Sequence, residues 1–125
     1  MSNPILIKKF TASGAVAGNR IVKHGAADNL VALAAAATDL LIGVSQNKVD
    51  AADTEPVDVI LQGLATVKAG GAITRGAKVT SDATGQAVAA APAAGANNQI
   101  LGIAYEAAAN GDLFRVLINQ SVMQG

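Results

Sequence analysis

The chain has no cysteine and no tryptophan, and its 125 residues include one tyrosine, two phenylalanines and one histidine. Without cysteine there are no disulfides and no thiolate metal ligands, a composition at home in a reducing cytoplasm. Nine basic and nine acidic residues leave no net charge. That balance argues against a nucleic-acid partner held by a basic face. Long apolar runs are also missing: the most apolar window, 30–44, is divided by Asp39 and is too short to span a bilayer. Residues 1–10 contain Asn3, Pro4, Lys8 and Lys9 and only three apolar residues in a row, short of a signal-peptide core. The expectation is a soluble protein with neither membrane nor nucleic acid as partner.

Apolar residues make up 51% of the chain and aromatics 2%. The core must therefore be built from Val, Ile, Leu and Ala around Phe10, Tyr105 and Phe114. At roughly 25 cal/mol per Å² of buried apolar surface, alanine contributes little, and the margin over conformational entropy is thin. Self-association is a natural remedy. The length suits one domain.

The middle of the chain sets the pattern. Val57, Val59 and Leu61 fall on one face of an extended segment and Asp58 and Gln62 on the other, the period-two signature of a half-buried strand. Gly63 is expected to interrupt it, Leu64 to open a second strand, and Gly70-Gly71 to reverse the chain. Ile73 opens another predicted strand that Gly76 bends. The sequence also repeats itself. Segment 14–22 matches 71–79, 42–45 matches 101–104, and 57–62 matches 114–119, in the same order and at an offset of roughly 57 to 59 residues. Two copies are too few for a solenoid, so a closed or paired β structure is expected.

Ile5-Leu6-Ile7-Lys8-Lys9-Phe10 is β-prone and reads as either a first strand or a docking strand. Extended segments follow at 16–23, 41–48, 100–106 and 114–118. The alanine-rich stretch 30–37 has helix propensity. Its counterpart contains Pro92 and Gly95, which break helices, so at most one helical turn is expected. Asn110-Gly111 between β-prone runs signals a hairpin. Eight to ten short strands with frequent turns predict an all-β, compact β-barrel or β-sandwich-like single domain of two pseudo-repeated β motifs. Its predicted layout is an N-terminal arm (1–12), the β domain (13–120) and a C-terminal tail (121–125).

Candidate chemistry does not converge. His24 has no cysteine or serine elbow to work with and reads as a solvated turn residue. Gly43-Val44-Ser45 begins like a nucleophile elbow but lacks the closing glycine and the strand-turn-helix setting. Gly71 to Lys78 mimics a phosphate loop, yet Ala77 separates Gly76 from Lys78 and a strand, not a helix, should follow. Asp50, Asp53, Glu55 and Asp58 cluster without the order of a calcium loop and read as a solvated hairpin tip. Lys68 near a turn raises a lipoyl- or biotinyl-like carrier module, but its neighbours Val67 and Ala69 do not fit that motif. A carbohydrate- or receptor-binding domain would want exposed aromatics, which are scarce. The expectation is no enzyme, no cofactor and no metal.

Segments 14–16, 20–23, 38–45, 57–63, 69–76, 80–85 and 100–108 together, in this order and spacing, resemble the small capsid cement, or head decoration, proteins of tailed bacteriophages. The likeness covers nearly the whole chain. It implies a homotrimer on the outer surface of the virion, bound where major capsid protein subunits meet at quasi-three-fold positions. Such a trimer stabilises the expanded head and is made in the bacterial host's cytoplasm. The segment Ile5, Leu6, Ile7, Lys8, Lys9 and Phe10 is the candidate capsid contact, because it combines apolar residues with two lysines in an arm.

Overall fold

The computed structural model describes residues 2–46 and 50–125. Nine strands follow one another: β1 (Asn3–Ala12), β2 (Ile21–His24), β3 (Leu30–Leu33), β4 (Leu41–Ser45), β5 (Pro56–Lys68), β6 (Lys78–Ser81), β7 (Ala87–Ala89), β8 (Asn97–Ala104) and β9 (Leu113–Gln124). No helix occurs among the described residues. The alanine-rich stretch stops being strand at Leu33 and turns, because Asp39 Oδ2 accepts the N–H groups of Ala35 at 2.8 Å and Ala36 at 3.0 Å. A side chain that satisfies backbone donors in this way competes directly with a helix.

The strands form one mixed sheet in the order β1-β3-β2-β4-β5-β9-β8-β6-β7, and β1 also pairs with β5. That extra pairing, antiparallel from Asn3↔Leu64 to Thr11↔Pro56, closes β1, β3, β2, β4 and the first half of β5 into a ring. On the other side, the parallel bridge Ala69↔Ala87 ties the end of β5 to β7 and closes a second ring through β9, β8 and β6. Strand β5 belongs to both. It is the longest strand, at 13 residues, and its length is what lets one segment serve two rings.

The sequence repeat is a repeat of hydrogen bonds. Asn19 N–H donates to Ser45 O at 3.0 Å, and Gly76 N–H donates to Ala104 O at 2.8 Å. Ala12 N–H donates to Glu55 O as Ala69 N–H does to Asp112 O, both at 2.8 Å. The bridges Val16↔Ala51 and Ile73↔Ala108 match at the same offset. Close approaches match too: a Cβ on Gly43 would collide with Ile60 O, and one on Gly102 with Leu117 O. Both glycines let the next strand lie against the backbone.

Two hydrophobic clusters fill the molecule. Phe10, Ala12, Val16, Val22, Val31, Ala51, Val57 and Val59 fill the first ring. A larger cluster includes Val67, Ile73, Val79, Leu101, Phe114 and Val116 from the second half and Ile21, Leu41, Val44 and Ile60 from the outer face of the first. The second ring therefore covers part of the first, and the two rings form one body.

Several expected boundaries shift. Gly63 does not end a strand: β5 runs through it at φ +103°, opposite a register shift around Leu6 in β1. A Cβ at Gly63 would lie 2.7 Å from Asn3 O and from Ile5 N, so only glycine lets the strand turn the corner between rings. Ile73 makes a single bridge, and strand begins at Lys78. The expected arm is a wall of the first ring over Asn3–Ala12, and the expected tail is strand to Gln124, pairing Ser121–Gln124 with Ile100–Asn97. Lys48 and Val49, expected at a strand end and a loop start, lie outside the described residues.

A candidate contact surface

β1 lies against β5 along one edge, and along the other pairs only Thr11 and Ala12, with β3. From Asn3 to Phe10 its second edge therefore carries backbone donors and acceptors that no strand among the described residues takes up. Ile5, Leu6 and Ile7 are 80%, 46% and 49% exposed. Three consecutive apolar side chains cannot all point into one core from a strand. Lys8 extends its Nζ to Asn29 Oδ1 at 3.0 Å and lies 4.4 Å from the Phe10 ring centroid, so its ammonium is held over the ring face. Lys9 is exposed. Phe10 turns inward to the first ring, at 8% exposure, which removes it from the candidate contact residues.

A second exposed apolar region is not singled out by the sequence patterning alone. Leu113 and Leu117 stand on the outer face of β9, with Arg115 between them. Arg115 donates from Nε and from its backbone N–H to Glu106 Oε1, each at 3.1 Å, and its guanidinium lies 5.3 Å from the Tyr105 ring centroid. The Arg115 side-chain hydrogen bond, with its backbone N–H adding to it, holds the Glu106 carboxyl below the usual carboxylate range. The repeat offset could have revealed Leu117, since it is the counterpart of Ile60. Leu40 and Val122, also exposed, border a groove of about 330 Å³ with His24 and Gln99. Among the described residues His24 is the only ionisable side chain lining it.

Several of the reactive candidates are used structurally. Ser45 is fully buried; its hydroxyl donates to Ala17 O at 2.7 Å and accepts Arg20 N–H at 3.1 Å. Asp53 Oδ1 accepts Gly14 N–H at 2.8 Å, Asp50 Oδ1 accepts Gly18 N–H at 3.3 Å, and Glu55 Oε1 accepts Ala52 N–H. These carboxylates hold the loop of the first ring. Among the described residues no group of three or more His, Asp or Glu is placed to hold a metal ion, and no helix is long and apolar enough to cross a membrane. The segment from Gly71 to Lys78 leads into β6, so no helix N-terminus points at an anion there. Lys68 sits within β5, its N–H bonded to Asn19 O, and not at a hairpin tip.

Comparison with known proteins agrees with this geometry. No curated protein matches the chain significantly. The fold is that of the head fiber gp8.5 N base of bacteriophage phi29, with a TM-score of 0.71 and 22% sequence identity over 96% of this chain and 98% of that one. The family model for phage cement proteins matches residues 3–120. This paired-ring β body with apolar surface strands thus belongs, by its sequence, to the phage cement protein family.

Proposed function

We propose that this protein is a capsid decoration protein that binds the outside of the phage head as a homotrimer at quasi-three-fold positions and stabilises the expanded capsid. Its partners on this reading are the major capsid protein and two further copies of itself; its place is the outer surface of the virion, after synthesis in the bacterial host's cytoplasm. The role is structural and non-catalytic. Family membership supports it, and so does the name of the structural neighbour, a head fiber base. The observation that carries it is the strand β1: a closed ring presents Ile5, Leu6 and Ile7 to solvent beside an unpaired strand edge. Exposed apolar side chains beside free backbone groups are what strand addition to a partner uses. Three such contacts on one trimer act together through effective concentration, so individually weak contacts suffice.

The alternative, a non-enzymatic carrier module of the lipoyl or biotinyl kind, requires a modified lysine at an exposed tip. Intact mass of protein from its native host separates the two, since the carrier reading needs an added mass on a lysine. The main test uses point changes, because deleting β1 would open the first ring. Ile5→Glu with Ile7→Glu should abolish co-sedimentation with expanded heads while circular dichroism stays unchanged. Undiminished binding by that variant would rule out β1 as the contact.

A further inference from the structure

The turns that lead into the last wall of each ring are twins at the repeat offset. In the first, Thr54 N–H donates to Ala12 O at 2.9 Å and Glu55 N–H to Ala52 O at 3.1 Å; in the second, Gly111 N–H donates to Ala69 O at 2.8 Å and Asp112 N–H to Ala109 O at 3.1 Å. Thr54 and Gly111 both take positive φ, 71° and 88°. The difference between the twins is chemical. Where the first ring has Asp53-Thr54 the second has Asn110-Gly111, and no other asparagine of the chain precedes a glycine. Asp53 is tied down, its Oδ1 accepting Gly14 N–H at 2.8 Å. Among the described residues Asn110 makes no corresponding bond to Gly71, the counterpart of Gly14. Asn110 is exposed, and a Cβ on Gly111 or on Gly71 would meet nothing within 4 Å.

We propose that Asn110 is a site of self-modification: its side-chain amide cyclises onto Gly111 and is hydrolysed to aspartate or isoaspartate, at a rate set by opening of the second ring. The Gly111 nitrogen bonds to Asn110 Cγ, the bond from Cγ to the side-chain nitrogen breaks, and ammonia leaves with the proton that the Gly111 nitrogen carried. Water then opens the succinimide at either carbonyl, giving aspartate at one and isoaspartate at the other. Glycine leaves the attacking nitrogen reachable, since it has no side chain to stand over it. Asp53-Thr54 has neither advantage: its carboxylate is held, and the β-branched threonine shields its nitrogen. The closed ring restrains the step, because the Gly111 N–H that must be freed is bonded to Ala69 O. Modification therefore proceeds from the locally opened turn. The two products differ in consequence. Aspartate remakes the first-ring turn, its carboxylate accepting Gly71 N–H as Asp53 accepts Gly14 N–H. Isoaspartate adds a carbon to the backbone of the turn, and either product adds a negative charge two residues from Asp112.

The intact chain, held at mildly alkaline pH and sampled over weeks, should gain one mass unit. Tandem mass spectrometry should place that gain at residue 110 ahead of every other asparagine, Asn97 and Asn98 included. Conversion at Asn97 or Asn98 that matches or outruns position 110 overturns the proposal. Asn110→Asp supplies one product directly and should slow exchange of the Gly71 amide roughly tenfold, through a backbone bond to a carboxylate. Unchanged exchange there overturns the remade turn. Phe114→Ala loosens the second ring and should speed Gly111 amide exchange and the mass gain at residue 110 by the same factor. Low urea on the unsubstituted chain gives the same comparison without a core substitution. Exchange that quickens while the mass gain keeps its pace overturns control by ring opening.

Discussion

At the scale of single residues, the repeat shows which side chains are replaceable. In the first ring the Ser45 hydroxyl stands between Arg20 N–H and Ala17 O. In the second ring the counterpart of Ser45 is Ala104, and the counterpart groups bond directly, Ala77 N–H to Thr74 O at 3.0 Å. Ser45→Ala should therefore cost about 1 kcal/mol and not the ~3 kcal/mol of a stranded buried donor, because the turn can close as its twin does. Denaturant melts would check this. Gly102→Ala has no such escape, since the new methyl meets the Leu117 carbonyl. It should cost about 1–3 kcal/mol or more, while Gly71→Ala, with open space around it, should be close to neutral. Asp39 sets a pH dependence. Partial burial pushes its carboxyl up, but the Ala35 N–H, the Lys23 ammonium and the Ala36 N–H outweigh this and hold it below the ordinary range. A depressed folded value means stability that is present above the unfolded value near 4 and is lost as pH falls through the lowered one. Asp39→Asn should flatten the fall of melting temperature between pH about 5 and 2.

At the scale of elements, what the sequence showed depends on where side chains alternate. Val57, Val59 and Leu61 disclosed β5, and the matched blocks disclosed the halves, because local patterning and the repeat pointed the same way. Alternation fails where a strand has no buried face. Ile5, Leu6 and Ile7 are all exposed, and Asn119–Val122 are all exposed, so β1 read as an arm and the end of β9 as a tail. Backbone pairing over long sequence distances, which no side-chain pattern records, makes both into strands. The shared role of β5 was hidden for the same reason, since Gly63 looks like a break until its partner strand is present. The end of β9 is testable: ending the chain at residue 120 removes the pairing of Ser121–Gln124 with Ile100–Asn97. Amide exchange of residues 97–100 should then speed up well before that of residues 113–117, which β5 also holds.

At the scale of the whole molecule, the question is whether two similar rings behave as two units or one. Separate domains meet through modest polar interfaces and unfold separately. Here β5 walls both rings, and the cluster around Phe114 contains Ile21, Val44 and Ile60 from the first half. Opening the second ring would strip those three of their cover, and opening the first would release the partner edge of β5. Neither ring can lose its structure without exposing apolar surface that the other needs buried, and an alanine-rich core has little surplus to lose. Calorimetry should give a single transition whose calorimetric and van't Hoff enthalpies agree. Phe114→Ala, in the second ring, should cost about 3–5 kcal/mol, lowering the melting temperature by on the order of 10 °C. It should accelerate amide exchange at Val22, in the first ring, by the same factor as at Val79, in the second. A variant with a second, earlier transition and an undisturbed Val22 would show that the rings are independent. On the decoration role proposed above, such a unit suits the task, since load applied at β1 would pass through β5 into the second ring without crossing a flexible linker.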